Sequence, residues 1–391
     1  MITVEEALGH VLALARVMPV ETVALADAAG RWMAEPVAAR RDQPPFDASA
    51  MDGYAVTDEA PLGATYTVVG EAGAGHGFGG RINAGEALRI FTGAPVPDGA
   101  QRVVLQESVR RDGAQITITE ASANTNIRPR GDDFRLGQAF GPKRISASDL
   151  ALLAAMNLPE VPVRRKPEVA IIATGDELVM PGETPGPDQI VASNSFAIKA
   201  LVEQAGGRVR MLPIARDTEA SLRAVFDLAD GADLIVTIGG ASVGDHDVVA
   251  RLAEGMGLKR AFYKIAMRPG KPLMAGMMRG APMLGLPGNP VSAIVCAHLF
   301  VLPLVRAMLG DPSPVLPLRQ ARLGSDVDAT GPRTHYMRAS LTMSPDAPVV
   351  TPFTRQDSAL LGVLAEADAL LVRPLGDGPR RAGDLAEYLP L

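Results

Sequence analysis

Residues 235–247 read IVTIGGASVGDHD: an apolar, β-branched run enters a glycine-rich turn and leaves through two aspartates. The same design recurs at 169–178, VAIIATGDEL, where a strand runs into an acidic loop, and at 283–290, MLGLPGNP, where one runs into a Gly/Pro/Asn loop. In an open α/β sheet the ligand crevice lies outside the carboxyl ends of the strands. The three stretches therefore predict one sheet edge that gathers bare backbone N–H groups and carboxylates. Such an edge suits an anionic substrate assisted by a metal ion.

Outward from these stretches, residues 168–310 alternate strand (168–173, 208–214, 233–238, 260–266, 281–286) and helix (195–204, 219–228, 247–255, 291–308), with Gly206 and Gly207 as a helix C-cap. That order predicts a mostly parallel sheet covered on both faces. Residues 1–165 are rich in Gly and Pro and carry short β-like runs at 66–69, 87–91, 102–106 and 115–119. A helix is expected at the start, with Val4, Leu8, Val11, Leu12 and Ala15 on one face, and a second at 148–156 with Ser148 as its N-cap. Pro159, Pro162 and Pro167 predict a stiff linker, and DPSPVLP at 311–317 a hinge. Residues 318–391 have short alternating runs and turns, which predict a small β-barrel or sandwich.

Composition bounds the function. A chain of 391 residues predicts two to four domains. A net charge of −6 and a pI near 5.5 give no general attraction to nucleic acid or an anionic membrane, so neither is expected as a partner. The one cysteine, Cys296, excludes an intramolecular disulfide and reads as a small buried hydrophobe in a reducing compartment. Glu5 and Glu6 stand where an export signal needs positive charge. The longest apolar run, 291–305, includes His298 and Pro303 and falls short of the roughly 20 residues of a membrane span. A packed helix and a cytoplasmic location are expected.

The chemistry-bearing residues sort by charge. Glu177, Asp217, Asp245 and Asp247 all follow predicted strands. Two carboxylates about 4 Å apart repel by roughly 4 kcal/mol at an effective dielectric near 20. A bound cation relieves that, and oxygen-only ligands suit Mg2+. A carboxylate cluster cannot hold an oxyanion, whereas the basic turn YKIAMRPGKP at 263–272, with Lys264, Arg268 and Lys271, can. Pro287, Asn289 and Pro290 open a helix with Ser292 in its first turn, which offers free N–H groups to an anion. Two patterns are discounted. GHGFGG at 75–80 matches a dinucleotide fingerprint but is followed by a turn and a strand. GASVG at 240–244 matches a nucleophile elbow, which makes Ser242 a rival serine-hydrolase nucleophile with His335 as its available partner.

Together PPFDASAMDGYAV, RIFTGAPVP, RPRGDDF, ATGDEL, GGASVGDHD, RPGKP and LPGNPVS resemble the molybdopterin molybdenumtransferase family, to which the C-terminal region of gephyrin is related. The match runs from residue 29 to beyond residue 300 and is weaker in the tail. It implies an elongated N-terminal domain (1–25 and 141–166), an inserted β-rich domain (26–140), a central α/β molybdopterin-binding domain (167–312) and a C-terminal β-barrel (313–391). It implies a homodimer with shared active sites, and the Mg2+-dependent conversion of adenylylated molybdopterin and molybdate into molybdenum cofactor and AMP. An adenylyltransferase upstream and molybdoenzyme apo-proteins downstream are the implied partners. A non-catalytic scaffold of the same fold is the alternative.

Carried over by position, Asp52, Asp133, Glu177, Asp217 and Asp247 match the family's functional acids, with Asp217 and Asp247 as metal ligands. Thr92, Lys264, Arg268, Lys271, Ser292, Ser358, and Arg333 or Arg338 match its substrate contacts. The turn Gly239, Gly240, Ser242 and Gly244 is expected to hold the pterin phosphate. Arg268 stands where many relatives have lysine, and Ala192 where many have aspartate.

Overall fold

The computed structural model describes residues 1–240 and 253–391. Its chain divides into two compact units, residues 22–163 and residues 1–21 with 164–391.

In the second of these, six strands form a sheet in the order Arg208–Met211, Glu168–Ala173, Leu234–Ile238, Ala281–Leu286, Pro272–Met278, Lys259–Lys264. The first four are parallel. Glu168–Ala173, Leu234–Ile238 and Ala281–Leu286 are almost wholly apolar and buried on both faces, as in strands covered from two sides, whereas Arg208–Met211 at the edge is only partly buried. The last two run antiparallel, so the sheet is mixed. The Pro272–Met278 strand had no counterpart in the sequence reading, because PLMAGMM has neither β-branched residues nor a period of two. Its turn decides it: Arg279 (φ +49°) and Gly280 (φ +86°) form a two-residue connection in the left-handed region, the geometry that matches hairpin twist.

Helices Asn194–Gln204 and Glu219–Leu228 cover this sheet as expected. Thr218 caps the second, its hydroxyl accepting from Ser221 N at 3.3 Å. Leu222, Val225 and Phe226 then pack on Ile172, Ile235 and Met274. The helix expected at 247–255 falls largely outside the described residues. The apolar run becomes helix Pro290–Cys296, a π turn Ala297–Val301 and helix Leu302–Met308. Pro303 supplies no N–H to the preceding turn, and the widened turn accommodates that. Residues 290–308 are long and apolar enough to cross a membrane, yet 78% of that stretch is buried inside the protein.

The tail closes into a barrel rather than a sandwich. Strands Arg319–Leu323, Thr334–Thr342, Val349–Pro352, Ala369–Arg373 and Leu385–Pro390 form a ring, shut by the antiparallel pairing of Thr334–Thr342 with Ala369–Arg373. Met267–Arg268 adds to it in parallel, opposite Thr334 and His335.

Residues 22–163 hold a second six-stranded sheet, in the order Arg102–Leu105, Gly53–Val56, Glu86–Ile90, Thr65–Ala72, Gln115–Ile118, Val109–Asp112. Two local expectations are corrected here. Helix Ala147–Ala155 starts one turn position earlier than expected, because Ser146 and Asp149 form a reciprocal capping box and Ser148 lies inside the first turn. The expected proline linker is strand Glu160–Arg164, whose Val161 and Val163 alternate into the core beside Leu153 and Met156. The GHGFGG stretch is a tight turn, with Gly73 and His76 exchanging 2.9 Å main-chain bonds, and no helix follows it.

Ser146→Ala should therefore lower the stability of this unit by about 1 kcal/mol, while Ser148→Ala stays within about 0.5 kcal/mol, as read by urea unfolding of each variant.

Candidate active site

The carboxyl ends of the parallel strands open onto a cavity of about 640 Å3, lined by the loops after Glu168–Ala173, Leu234–Ile238 and Ala281–Leu286. One side is acidic. Gly175 turns the chain at φ +147°, a backbone conformation that residues with a side chain rarely adopt, and the Glu177 carboxylate folds over the space a Cβ would take. Asp176 accepts from the Asp217 amide at 3.1 Å, which brings the second strand's loop onto the first. Burial, then the negative charges of Asp176 and Glu177, push the Asp217 carboxyl up from its ordinary range. The residue keeps an exposed face, so the two neighbouring charges are the part of that cause a bound cation would relieve.

Other parts of the lining carry hydrogen-bond donors. Gly239 (φ +93°) and Gly240 (φ +65°) leave the central strand in a left-handed turn. A Cβ on Gly239 would lie 2.6 Å from the Thr174 carbonyl oxygen. Ser193, Asn194 and Ser195 at one helix start and Asn289, Pro290 and Ser292 at another line the same cavity. The Asn194 amide holds the Gly288 carbonyl at 2.8 Å and so ties the two helix starts together. Leu178, Ile190, Val191 and Pro272 add apolar surface to the lining. Ile190 is 58% exposed on it.

The barrel completes the cavity. Ser358 accepts from Val291 N at 3.1 Å through its carbonyl and from Asn289 Nδ2 at 3.1 Å through its hydroxyl, and Ala359 lines the wall beside Pro290. Arg338 is not open to an oxyanion. It is 1% exposed, and its guanidinium donates to Asp357 O at 2.6 Å and to Gln356 Oε1 at 3.1–3.2 Å. Gln356 donates back to Arg338 O and Phe353 O, at 2.9 and 2.7 Å. This pair fixes the loop that carries Ser358.

The basic turn divides. Lys271 precedes Pro272 of the main cavity, while Arg268 lines a separate cavity of about 170 Å3 with Arg333 and His335. Burial, then Arg268, Arg338, Arg373 and Arg333, push the His335 imidazole down to about 4. Lys264 lies in strand Lys259–Lys264 on the way to this turn. The expected opposition of acids and bases across one crevice thus becomes an acidic rim on one cavity and an arginine pair on another.

In residues 22–163, the MDGY and TGAP loops meet: Asp52 Oδ1 accepts from Thr92 N and Thr92 Oγ1, both at 2.8 Å. Those bonds, with Arg89 nearby, hold the Asp52 carboxyl below the usual carboxylate range. Asp133 is exposed on a loop whose amide donates to Gln43 O at 2.9 Å. Ser242, Gly244, Asp245 and Asp247 lie outside the described residues. Among the described residues no group of three or more His, Cys, Asp or Glu side chains is placed to hold a metal ion by itself. Sequence reasoning missed Asp176, Asn194, Arg216 and Gln356. Asp176 lay inside the quoted ATGDEL, but nothing in the order of residues tells which of two adjacent acids faces the neighbouring loop.

Three family models match the chain: the MoeA N-terminal region (domain I and II) over residues 2–157, the probable molybdopterin binding domain over 170–307, and the MoeA C-terminal region (domain IV) over 320–391. A molybdopterin molybdenumtransferase from Nostoc is 36% identical over 375 residues, covering 91% of this chain and 85% of the relative. One from Haemophilus influenzae is 38% identical over 297 residues, covering 74% and 73%. The crystal structure of a molybdopterin biosynthesis MoeA protein from Pyrococcus horikoshii superposes with a TM-score of 0.84 at 30% identity, over 100% of this chain and 99% of that one. The chain belongs to the molybdopterin molybdenumtransferase family.

Gly239→Ala should cost about 1–3 kcal/mol through the forced left-handed residue and the clash with Thr174, read as a fall in Tm together with loss of ligand binding. His335 should stay neutral well below its usual 6.5, down to about 4, in an NMR titration. Its folded value is depressed, so its contribution to stability is complete above 6.5 and is lost as pH falls from 6.5 towards 4. His335→Gln should flatten the stability profile in that window.

Proposed function

We propose that this chain converts adenylylated molybdopterin and molybdate into molybdenum cofactor and AMP in a Mg2+-dependent reaction in the cytoplasm. The observation that carries the reading is one cavity lined both by acids (Glu177, Asp217, with Asp176 beside Asp217) and by donor-bearing residues (Gly239, Gly240, Asn194, Asn289, Ser292). A phosphoanhydride of AMP and a pterin phosphate needs both: amides and hydroxyls for its phosphate oxygens, and a cation for its pyrophosphate.

The donor set fits Mg2+. It is oxygen-only, and the charge of two neighbours already burdens Asp217. Mg2+ is commonly held by one or two carboxylates plus substrate phosphates, so a closed protein cage is not required. Asp217 and Glu177 would hold it; Asp247, the other acid expected from the sequence as a metal ligand, lies outside the described residues. When bound, Mg2+ supplies polarisation of the bridging phosphoryl oxygen.

The chain's own residues do the rest. The helix start at Asn194, the polar side chains of Ser193, Asn289 and Ser292, and the Gly239–Gly240 turn line the place where phosphate is bound and oriented. The apolar wall of Leu178, Ile190, Val191 and Pro272 receives a flat heterocycle and excludes water from one face. Arg268 and Arg333, with Lys264 and Lys271 on the same segment and its approach, attract the molybdate dianion. Asp52, Asp133 and Thr92 serve the site in a homodimer whose active sites are shared between chains. An adenylyltransferase supplies the substrate and apo-molybdoenzymes take the product.

Asp217→Asn should reduce AMP release from adenylylated molybdopterin by about 100-fold or more with unchanged circular dichroism. Wild-type turnover in that variant would remove Asp217 from the mechanism. A wild-type chain that releases no AMP would favour a scaffold of the same fold.

A further inference from the structure

The acidic turn poses a problem of hydrogen bonding. Residues 175–178 bend sharply at the sheet edge, so their carbonyls leave the strand ladder and need other partners. Three of the four are taken by one side chain. Arg216 Nη1 donates to Asp176 O at 2.9 Å and Leu178 O at 3.0 Å, and lies 3.3 Å from Gly175 O. The fourth, Glu177 O, accepts from the Ile190 amide at 2.8 Å. Arg216 is itself anchored, its amide donating to Ser221 Oγ at 2.9 Å in helix Glu219–Leu228. The next residue, Asp217, donates its amide to the Asp176 carboxylate at 3.1 Å. The Arg216–Asp217 dipeptide thus grips the turn twice, by a guanidinium on the carbonyl side and by an amide on the carboxylate side.

We propose that Arg216 is the positioning residue of the acidic rim: by holding the carbonyls of Gly175, Asp176 and Leu178, it sets the Glu177 and Asp217 carboxylates on a common edge of the cavity. With those carbonyls occupied, the turn presents carboxylate oxygens and not main-chain carbonyls to the cavity. Arg216 touches neither substrate nor metal in this arrangement. It acts through the turn. The inference rests on the proposed reading of the rim as a divalent-cation site.

The experiment uses the full-length chain and its Arg216→Met and Arg216→Lys variants, each checked for an unchanged circular dichroism spectrum. Mn2+ binding without substrate is followed by electron paramagnetic resonance, and amide exchange of peptides covering residues 174–179 by mass spectrometry. Arg216→Met should weaken Mn2+ binding by about tenfold, as for other residues that orient metal ligands, and should speed exchange in that turn alone. Arg216→Lys, whose ammonium also carries three donors, should restore most of both. Faster exchange with unchanged Mn2+ affinity would overturn the positioning role, as would no change in either. A wild-type chain that binds no Mn2+ would overturn the cation reading instead. The role of Arg216 would then be decided by AMP release, with a lowered kcat at constant KM in Arg216→Met supporting it and wild-type kinetics overturning it.

Discussion

The site depends on backbone pressed against backbone where the parallel strands end. Thr174 N donates to Ile238 O at 2.9 Å, its hydroxyl reaches the same oxygen at 3.3 Å, and Gly239 N continues to Leu286 O at 3.1 Å. Three adjacent strands therefore stop in register, and their loops leave from one line. Only a residue without a side chain fits at Gly239, because the Thr174 carbonyl occupies the space a Cβ needs. This constraint makes the edge narrow enough for loops from different strands to line one cavity.

Electrostatics follows from that packing. Once the loops converge, Asp176, Glu177 and Asp217 come close together, and burial, then the charges of the other two, push the Asp217 carboxyl up. The two helix starts at Asn194 and Pro290 line the same cavity and bring partial positive charge to it. A ligand with an anionic end and a bound cation satisfies both sides; a simple anion satisfies one. The barrel adds a further wall through Ser358, whose loop is held because Arg338 bonds Gln356 and the Asp357 carbonyl and Gln356 bonds back to Arg338 O and Phe353 O.

Much of this was legible in the chain. The strands at 168–173 and 281–286 and the helix at 219–228 agree with their sequence limits, because runs such as VAIIA and MLGL are apolar in a way only a doubly covered strand tolerates. The acids of ATGDEL and ARD and the glycines of the central turn were legible for the same reason, since their place after a strand fixes which edge they reach. Strand Pro272–Met278 was not, because its stability comes from the left-handed Arg279–Gly280 connection and not from its own residues. The Ser146 cap was misplaced by two positions because two serines flank the helix start and only the partner at Asp149 distinguishes them.

The sequence by itself determined most strands and helices of the α/β region and the family, which depend on periodicity and on motifs read along the chain. Tertiary structure alone decided that Arg268 joins Arg333 in a cavity of its own, that Arg338 is a buried brace, and that one guanidinium, Arg216, organises the acidic turn. The reason is physical: a charged side chain takes the same letter whether it faces a ligand or a carbonyl, and only the acceptors that folding brings within about 3 Å settle which.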